Sequence, residues 1–245
     1  MEIAYQLVAT LASTFIATLS GFGFALALIP ALVVVMDAKS AVILTLLLFM
    51  FVGTMITWAS RKDVNRRLLA TLLISSFAGM PLGAFVLVII SESLLRLLIG
   101  ILIVAASILL LSNYKRPFAN ERLAAVIVGF LGGLMNTSVV VCGPFVALFL
   151  ANQKMGKEEL RATMSAFLLG ITPISLLFFY LGGLITVPLL VTALPLIPAV
   201  LIGYFLGVRF LPRVDAALFN RILVLLVLFA GAGIFVGEVR SILGI

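Results

Sequence analysis

The chain has 245 residues, 64% of them hydrophobic and 10% charged, and its 16 Lys and Arg against 9 Asp and Glu give a net charge of +7. A soluble domain of this length has no interior large enough for so much apolar surface, so the composition excludes a water-soluble enzyme and predicts an all-α polytopic membrane protein. The basic residues lie in short clusters between apolar runs, which suits topology under the positive-inside rule; no nucleic acid partner is expected.

One cysteine, Cys142, excludes an internal disulfide, and the absence of histidine removes the commonest metal ligand and acid/base group. No metal and no cofactor are expected. The amino terminus lacks a basic n-region, so no cleaved targeting segment is expected and the first apolar run serves insertion itself.

In chain order, charges divide the sequence into runs to compare with the roughly 20 residues that span a bilayer. Between Lys39 and Arg61 lie 21 uncharged residues, between Arg67 and Glu92 lie 24, and between Arg96 and Lys115 lie 18. Each fits one span. The 47 residues between Arg161 and Arg209 make two, with a turn near Gly182, Gly183 and Pro188, and a last span lies between Arg221 and Glu238. Two runs do not fit: 34 uncharged residues separate Glu2 from Asp37, and 31 separate Arg122 from Lys154. Each has a soft centre, Ser20-Gly21-Phe22-Gly23 or Asn136-Thr137-Ser138, followed by Pro30 or Pro144. Either a re-entrant pair of half-helices or a long tilted helix with a glycine kink accounts for such a run.

Charge separates these two readings. With both runs crossing fully, the basic residues divide evenly, eight on each side. With both returning to their own side, Arg61, Lys62, Arg66, Arg67, Lys115, Arg116, Arg122, Lys154, Lys157, Arg161, Arg209, Arg213 and Arg221 share one side, against Lys39, Arg96 and Arg240. Thirteen against three is the asymmetry that cytoplasmic loops show. The parity requires only that the second run return; the first run, crossing fully, leaves the same split with the amino terminus inside.

The halves also align. Gly79 to Arg96 (GMPLGAFVLVIISESLLR) lines up with Gly203 to Arg221 (GYFLGVRFLPRVDAALFNR), and both carry Gly-x-x-x-Gly, a polar loop and an arginine opening the next helix. The predicted plan is two inverted repeats, 1–114 and 115–245. Each is a broken, re-entrant first helix plus three transmembrane helices, about eight transmembrane segments in all.

Two tips entering from opposite faces enclose a site. Half-helix amino termini present unpaired N–H groups and about half a positive charge, which suits an anion. The candidate substrate-binding residues are Ser20, Gly21, Phe22, Gly23 and Phe24 in the first half and Asn136, Thr137, Ser138 and Val139 in the second. Thr54 and Ser165 join them because they lie well inside their runs. For the glycines, close helix packing is the competing role, and for the hydroxyls back-bonding within a helix. Thr45, Thr172 and Ser175 are read as helix glue. Lys39, Arg96, Arg209 and Arg213 either gather anions at the two mouths or only fix topology. No charged residue lies near the centre of a run, so no side-chain proton relay is expected.

These motifs resemble those of the TauE/SafE sulfite exporter family, small two-repeat membrane transporters of bacteria and archaea. The resemblance is carried by Ser20 to Gly23 through Pro30, by Gly79 and Gly83, by Gly129-Phe130-Leu131-Gly132-Gly133 through Thr137-Ser138 to Gly143-Pro144, and by Arg161-Ala162-Thr163. It implies a plasma-membrane transporter of sulfite, a sulfonate such as sulfoacetate, or a related anion, and no enzyme. Val139-Val140-Val141 replaces the glycine-rich form of the second motif. The expected partners are a small anionic substrate and the lipid bilayer, with a homodimer left open. An integral-membrane enzyme, a retinal-type photoreceptor and a non-transporting scaffold are the alternatives. The enzyme lacks a histidine and a Gly-x-Ser-x-Gly elbow, and the photoreceptor lacks a mid-membrane lysine. No Gly-x-x-x-x-Gly-Lys occurs, so no nucleotide drives the protein directly.

Overall fold

The computed structural model describes residues 2–111, 120–153, 155–211 and 216–243, with backbone alone for 216–223, 226 and 241–243. Hydrocarbon leaves a chain few ways to satisfy its backbone, and helix is the only regular structure among the described residues. In the first half α1 (Glu2–Ser20) breaks before the short α2 (Phe24–Val33), and α3 (Ala38–Ser60), α4 (Arg66–Ile89) and α5 (Glu92–Leu111) follow. In the second half α6 (Glu121–Ser138) breaks before α7 (Gly143–Asn152), followed by α8 (Lys157–Leu181). Then α9 (Val187–Ala193) runs through a 3-10 turn at Leu194–Leu196 into α10 (Ile197–Phe210), and α11 (Ala216–Leu243) closes the chain.

Local chemistry sets these boundaries. Asp37, Asn65 and Asn120 accept from the backbone N–H groups of Ser40, Leu68 and Leu123 at 2.8, 3.1 and 3.0 Å, capping α3, α4 and α6. Pro144, Pro188 and Pro198 lie in first turns, where a missing N–H breaks no ladder bond. Six helices or continuous helix pairs among the described residues are long and apolar enough to cross a bilayer: α1, α3, α4, α5, α8 and α9–α10. The ten-residue helices α2 and α7 are not.

Both broken runs fold back on themselves. Tyr5 near the start of α1 and Val33 and Val34 at the end of α2 line one cavity, and Arg96 bonds the carbonyls of Val33 and Met36. Glu121 and Arg122 at the start of α6 share another cavity with Gln153 at the end of α7. In the first run as in the second, residues near the two ends of the broken segment thus line one cavity. The second cavity also takes Asn65 and Arg67 of α4 and Glu159 of α8, so the basic clusters of the two halves meet on one face. Lys115, Arg116, Lys154, Arg213 and the boundary at 114/115 lie outside the described residues, as does the side chain of Arg221.

The two aligned Gly-x-x-x-Gly motifs do the same packing job. A Cβ on Gly79 or Gly83 would lie 2.1 Å from the carbonyl oxygen of Phe130 or Leu134, so α4 rides directly on the backbone of α6. Gly203 and Gly207 likewise seat α10 on α1, where added Cβ atoms would come 2.6 Å from the Leu11 oxygen and 2.5 Å from Thr18 Cβ. Lipid tails give apolar helices no preference for one another, so close backbone approach holds such pairs together. The ends of both hairpins are left to meet between α3 and α8.

Candidate functional site

At the first tip Gly21 takes φ 85°, a conformation that costs other residues a Cβ clash, and its N–H still reaches the Ala17 carbonyl at 2.7 Å. Ser20 then satisfies what the break frees. Its Oγ donates to the Ile16 carbonyl and accepts from the N–H groups of Gly23, at 3.2 Å, and Phe22, at 3.5 Å. The following helix α2 has no side-chain cap, so the first N–H groups from Phe24 onward keep their positive end.

The second tip lies later than the sequence suggests. Asn136, Thr137 and Ser138 form the last turn of α6, and the break is 139–142. The reason is that each polar group is satisfied without unwinding: Thr137 Oγ1 bonds the Gly133 and Met80 carbonyls at 2.9 and 2.8 Å, and Ser138 Oγ bonds Leu134 O at 2.8 Å. Asn136 Nδ2 donates to Ser175 Oγ at 2.9 Å, tying the hairpin to α8. The chain turns at Val140, whose φ of 58° is an outlier for a β-branched residue and stores about 1–3 kcal/mol. Helix α7 starts at Gly143 and Pro144, again without a side-chain cap.

The tips touch. A Cβ on Gly143 would sit 3.6 Å from Phe22 Cβ. Between them is a cavity of about 20 Å³, room for roughly one water. The first hairpin lines it with Phe22, Phe24, Ala25 and Leu26, and the second with Asn136, Val140, Val141, Gly143 and Pro144. Thr45, Leu46 and Phe49 of α3 and Leu168 and Thr172 of α8 complete the wall. Among the described residues no charged side chain lines it, and the uncapped amino termini of α2 and α7 supply positive potential there.

Of the expected site residues, Phe22, Phe24 and Asn136 line the cavity. Ser20, Gly21 and Gly23 build the tip behind it. Thr137, Ser138 and Val139 lie beside it in the α6 terminus, with Thr137 turned toward α4. Thr54 is exposed on α3 and bonded to its own helix at Met50 O, and Ser165 is buried and pairs with Thr57 at 2.9 Å. Sequence reasoning missed Thr45 and Thr172, which reach the cavity while donating to the Ala41 and Leu168 carbonyls. The available signal was helical phase: Thr172 lies one turn beyond Leu168 and one turn before Ser175, the partner of Asn136. Cys142 is buried with its thiol 3.7 Å from Asn136 Oδ1, and among the described residues no group of His, Cys, Asp and Glu is placed to hold a metal.

Comparison with known proteins completes the description. The family described as Sulfite exporter TauE/SafE matches residues 5–234. No curated protein and no solved structure matches the chain.

Proposed function

The chain belongs to the sulfite exporter TauE/SafE family, a family of membrane transporters, and from that premise we propose that it moves a small sulfur oxyanion or organosulfonate across the membrane as a secondary transporter. Sulfite and sulfonates such as sulfoacetate are the substrate class, and a bacterial or archaeal plasma membrane is the location. The observation that carries this reading is the convergence of two uncapped half-helix amino termini on one cavity. Such termini hold anions without a charged side chain, so the substrate's charge is met by backbone donors, with Asn136, Thr45 and Thr172 supplying amide and hydroxyl groups.

The short half-helices support a site near the bilayer midplane. Ten residues at about 1.5 Å each give roughly 15 Å, half of a hydrocarbon core about 30 Å thick. The matching order of helices in 1–114 and 115–245, and the equivalent packing of α4 on α6 and α10 on α1, support two halves of opposite orientation. A space fit for one water is too small for sulfite, so this conformation is closed and transport requires the tips to part. On the face opposite the basic clusters, a cavity of about 540 Å³ lies between α2 and α11 with Arg96 at its wall, a fitting outer vestibule.

The test is thermal denaturation of the purified protein with sulfite, sulfate, taurine, sulfoacetate and a simple carboxylate. Stabilisation by a sulfur oxyanion or sulfonate above that by the carboxylate is expected. Equal or absent responses across the series, with no labelled sulfite uptake into proteoliposomes, would defeat the reading.

A further inference from the structure

Arg161, counted in the sequence among the topology-setting cations, is drawn into the protein. It lies one turn into α8 with only 14% of its side chain exposed. A guanidinium carries five donors in a planar fork, and burying it is costly unless they are used. Here one of them is plainly used: Nη2 donates to the Thr18 carbonyl at 2.6 Å. That carbonyl is free because its helical donor, Phe22 N–H, has turned to Ser20. Nη1 comes no nearer than 3.8 Å to the exposed Glu158 carboxylate, and Nε is buried with no hydrogen-bond partner among the described residues. Arg96 shows the contrast: its Nε bonds Glu92 at 2.8 Å, and its two terminal nitrogens bond Val33 and Met36 carbonyls at 2.9 and 3.2 Å. Arg96 is a finished staple, whereas Arg161 has fork donors to spare.

Position gives the unused donors a purpose. The Arg161 stem lies against Gly21, where an added Cβ would come 2.7 Å from its Cγ. On the same side of α8, Met164 reaches toward Gly143, with its methyl 3.7 Å from that residue's Cβ position, and Leu168 and Thr172 line the cavity. Steps of three, four and four residues make one stripe of a helix, about 16 Å long from Arg161 to Thr172. It runs from the basic face to the space between the tips, and Phe22 and Met164 stand between the cation and that space.

Resting on the transporter reading above, we infer that Arg161 is the residue that meets the substrate's charge on the basic side, pairing its free Nε and Nη donors with two oxygens of the oxyanion before the tips part. Geometry favours an oxyanion over a halide because the fork matches two oxygens at once. Arg161 as a cap for α1 alone accounts for the Thr18 bond but not for the unpartnered Nε.

The experiment measures the dissociation constant of labelled sulfite for wild-type protein, R161Q and R161K, with the melting temperature of each ligand-free form. The glutamine keeps a donor for Thr18 and loses the charge; the lysine keeps the charge and loses the fork. A rise of tenfold or more in R161Q and of severalfold in R161K is expected. Should R161Q fail to fold, R161K decides alone. A lowered melting temperature with sulfite affinity within twofold of wild type makes Arg161 a cap only and overturns the inference. Wild-type protein that binds no sulfite overturns the transporter reading, and this inference with it.

Discussion

The two hairpin tips solve one problem in opposite ways. Each breaks a helix and leaves an uncapped helix terminus at the shared cavity. The first uses glycine where φ is positive and a serine that collects the freed N–H groups, then seats its helix end on Arg161. The second places valine at the same kind of position, has no capping side chain, and is fastened instead through Asn136 to Ser175 on α8. The first tip is a relaxed, internally satisfied turn; the second holds strain against an external tether. Of the two, only the second holds a non-glycine residue at positive φ.

The sharpest way to break this contrast is Gly21→Val. Both the backbone angle and the 2.7 Å approach to Arg161 Cγ oppose a side chain, so a stability loss of about 3 kcal/mol or more is expected in thermal or denaturant unfolding. Next is Asn136→Leu, which removes the tether: a loss of about 1–2 kcal/mol and weaker sulfite-induced stabilisation are expected. Ser20→Ala removes the acceptor of the Phe22 and Gly23 N–H groups in the first turn and is expected to cost about 1 kcal/mol, with the oxyanion response retained. The smallest effect is the most telling. Val140→Gly loses packing at a buried site but relieves a φ of 58°, so its net change is expected within about 1 kcal/mol. Val139→Gly and Val141→Gly lose similar packing with no such relief, and each is expected to cost about 1–2 kcal/mol more than Val140→Gly. Three equal losses would mean that the second tip is not strained.

Much of the architecture was legible because a bilayer permits so little. Run lengths marked the two broken segments, and the structure breaks the helix in both, at 21–23 and at 139–142. The site was legible only in part, since its residues are selected by helical phase and by partners distant in sequence. Thr54 and Thr45 lie nine residues apart on α3, yet one faces outward and the other lines the cavity. Thr137, in the polar turn that ends α6, is turned toward α4, where its hydroxyl bonds the Met80 carbonyl. Arg161 stood out in the sequence only as part of the Arg161-Ala162-Thr163 motif, because only the fold brings Thr18, 143 residues away in the chain, against it.

The central claim is that the two tips meet around the substrate and must separate for transport. Phe22→Cys with Gly143→Cys, in a Cys142→Ser background, tests it directly, because the 3.6 Å Cβ separation suits a disulfide. Labelled sulfite uptake into proteoliposomes is to be compared before and after reduction. The account predicts that the oxidised protein is cross-linked and does not transport, and that reduction restores flux. A cross-linked protein that transports as fast as its reduced form, or thiols that never pair, would contradict it.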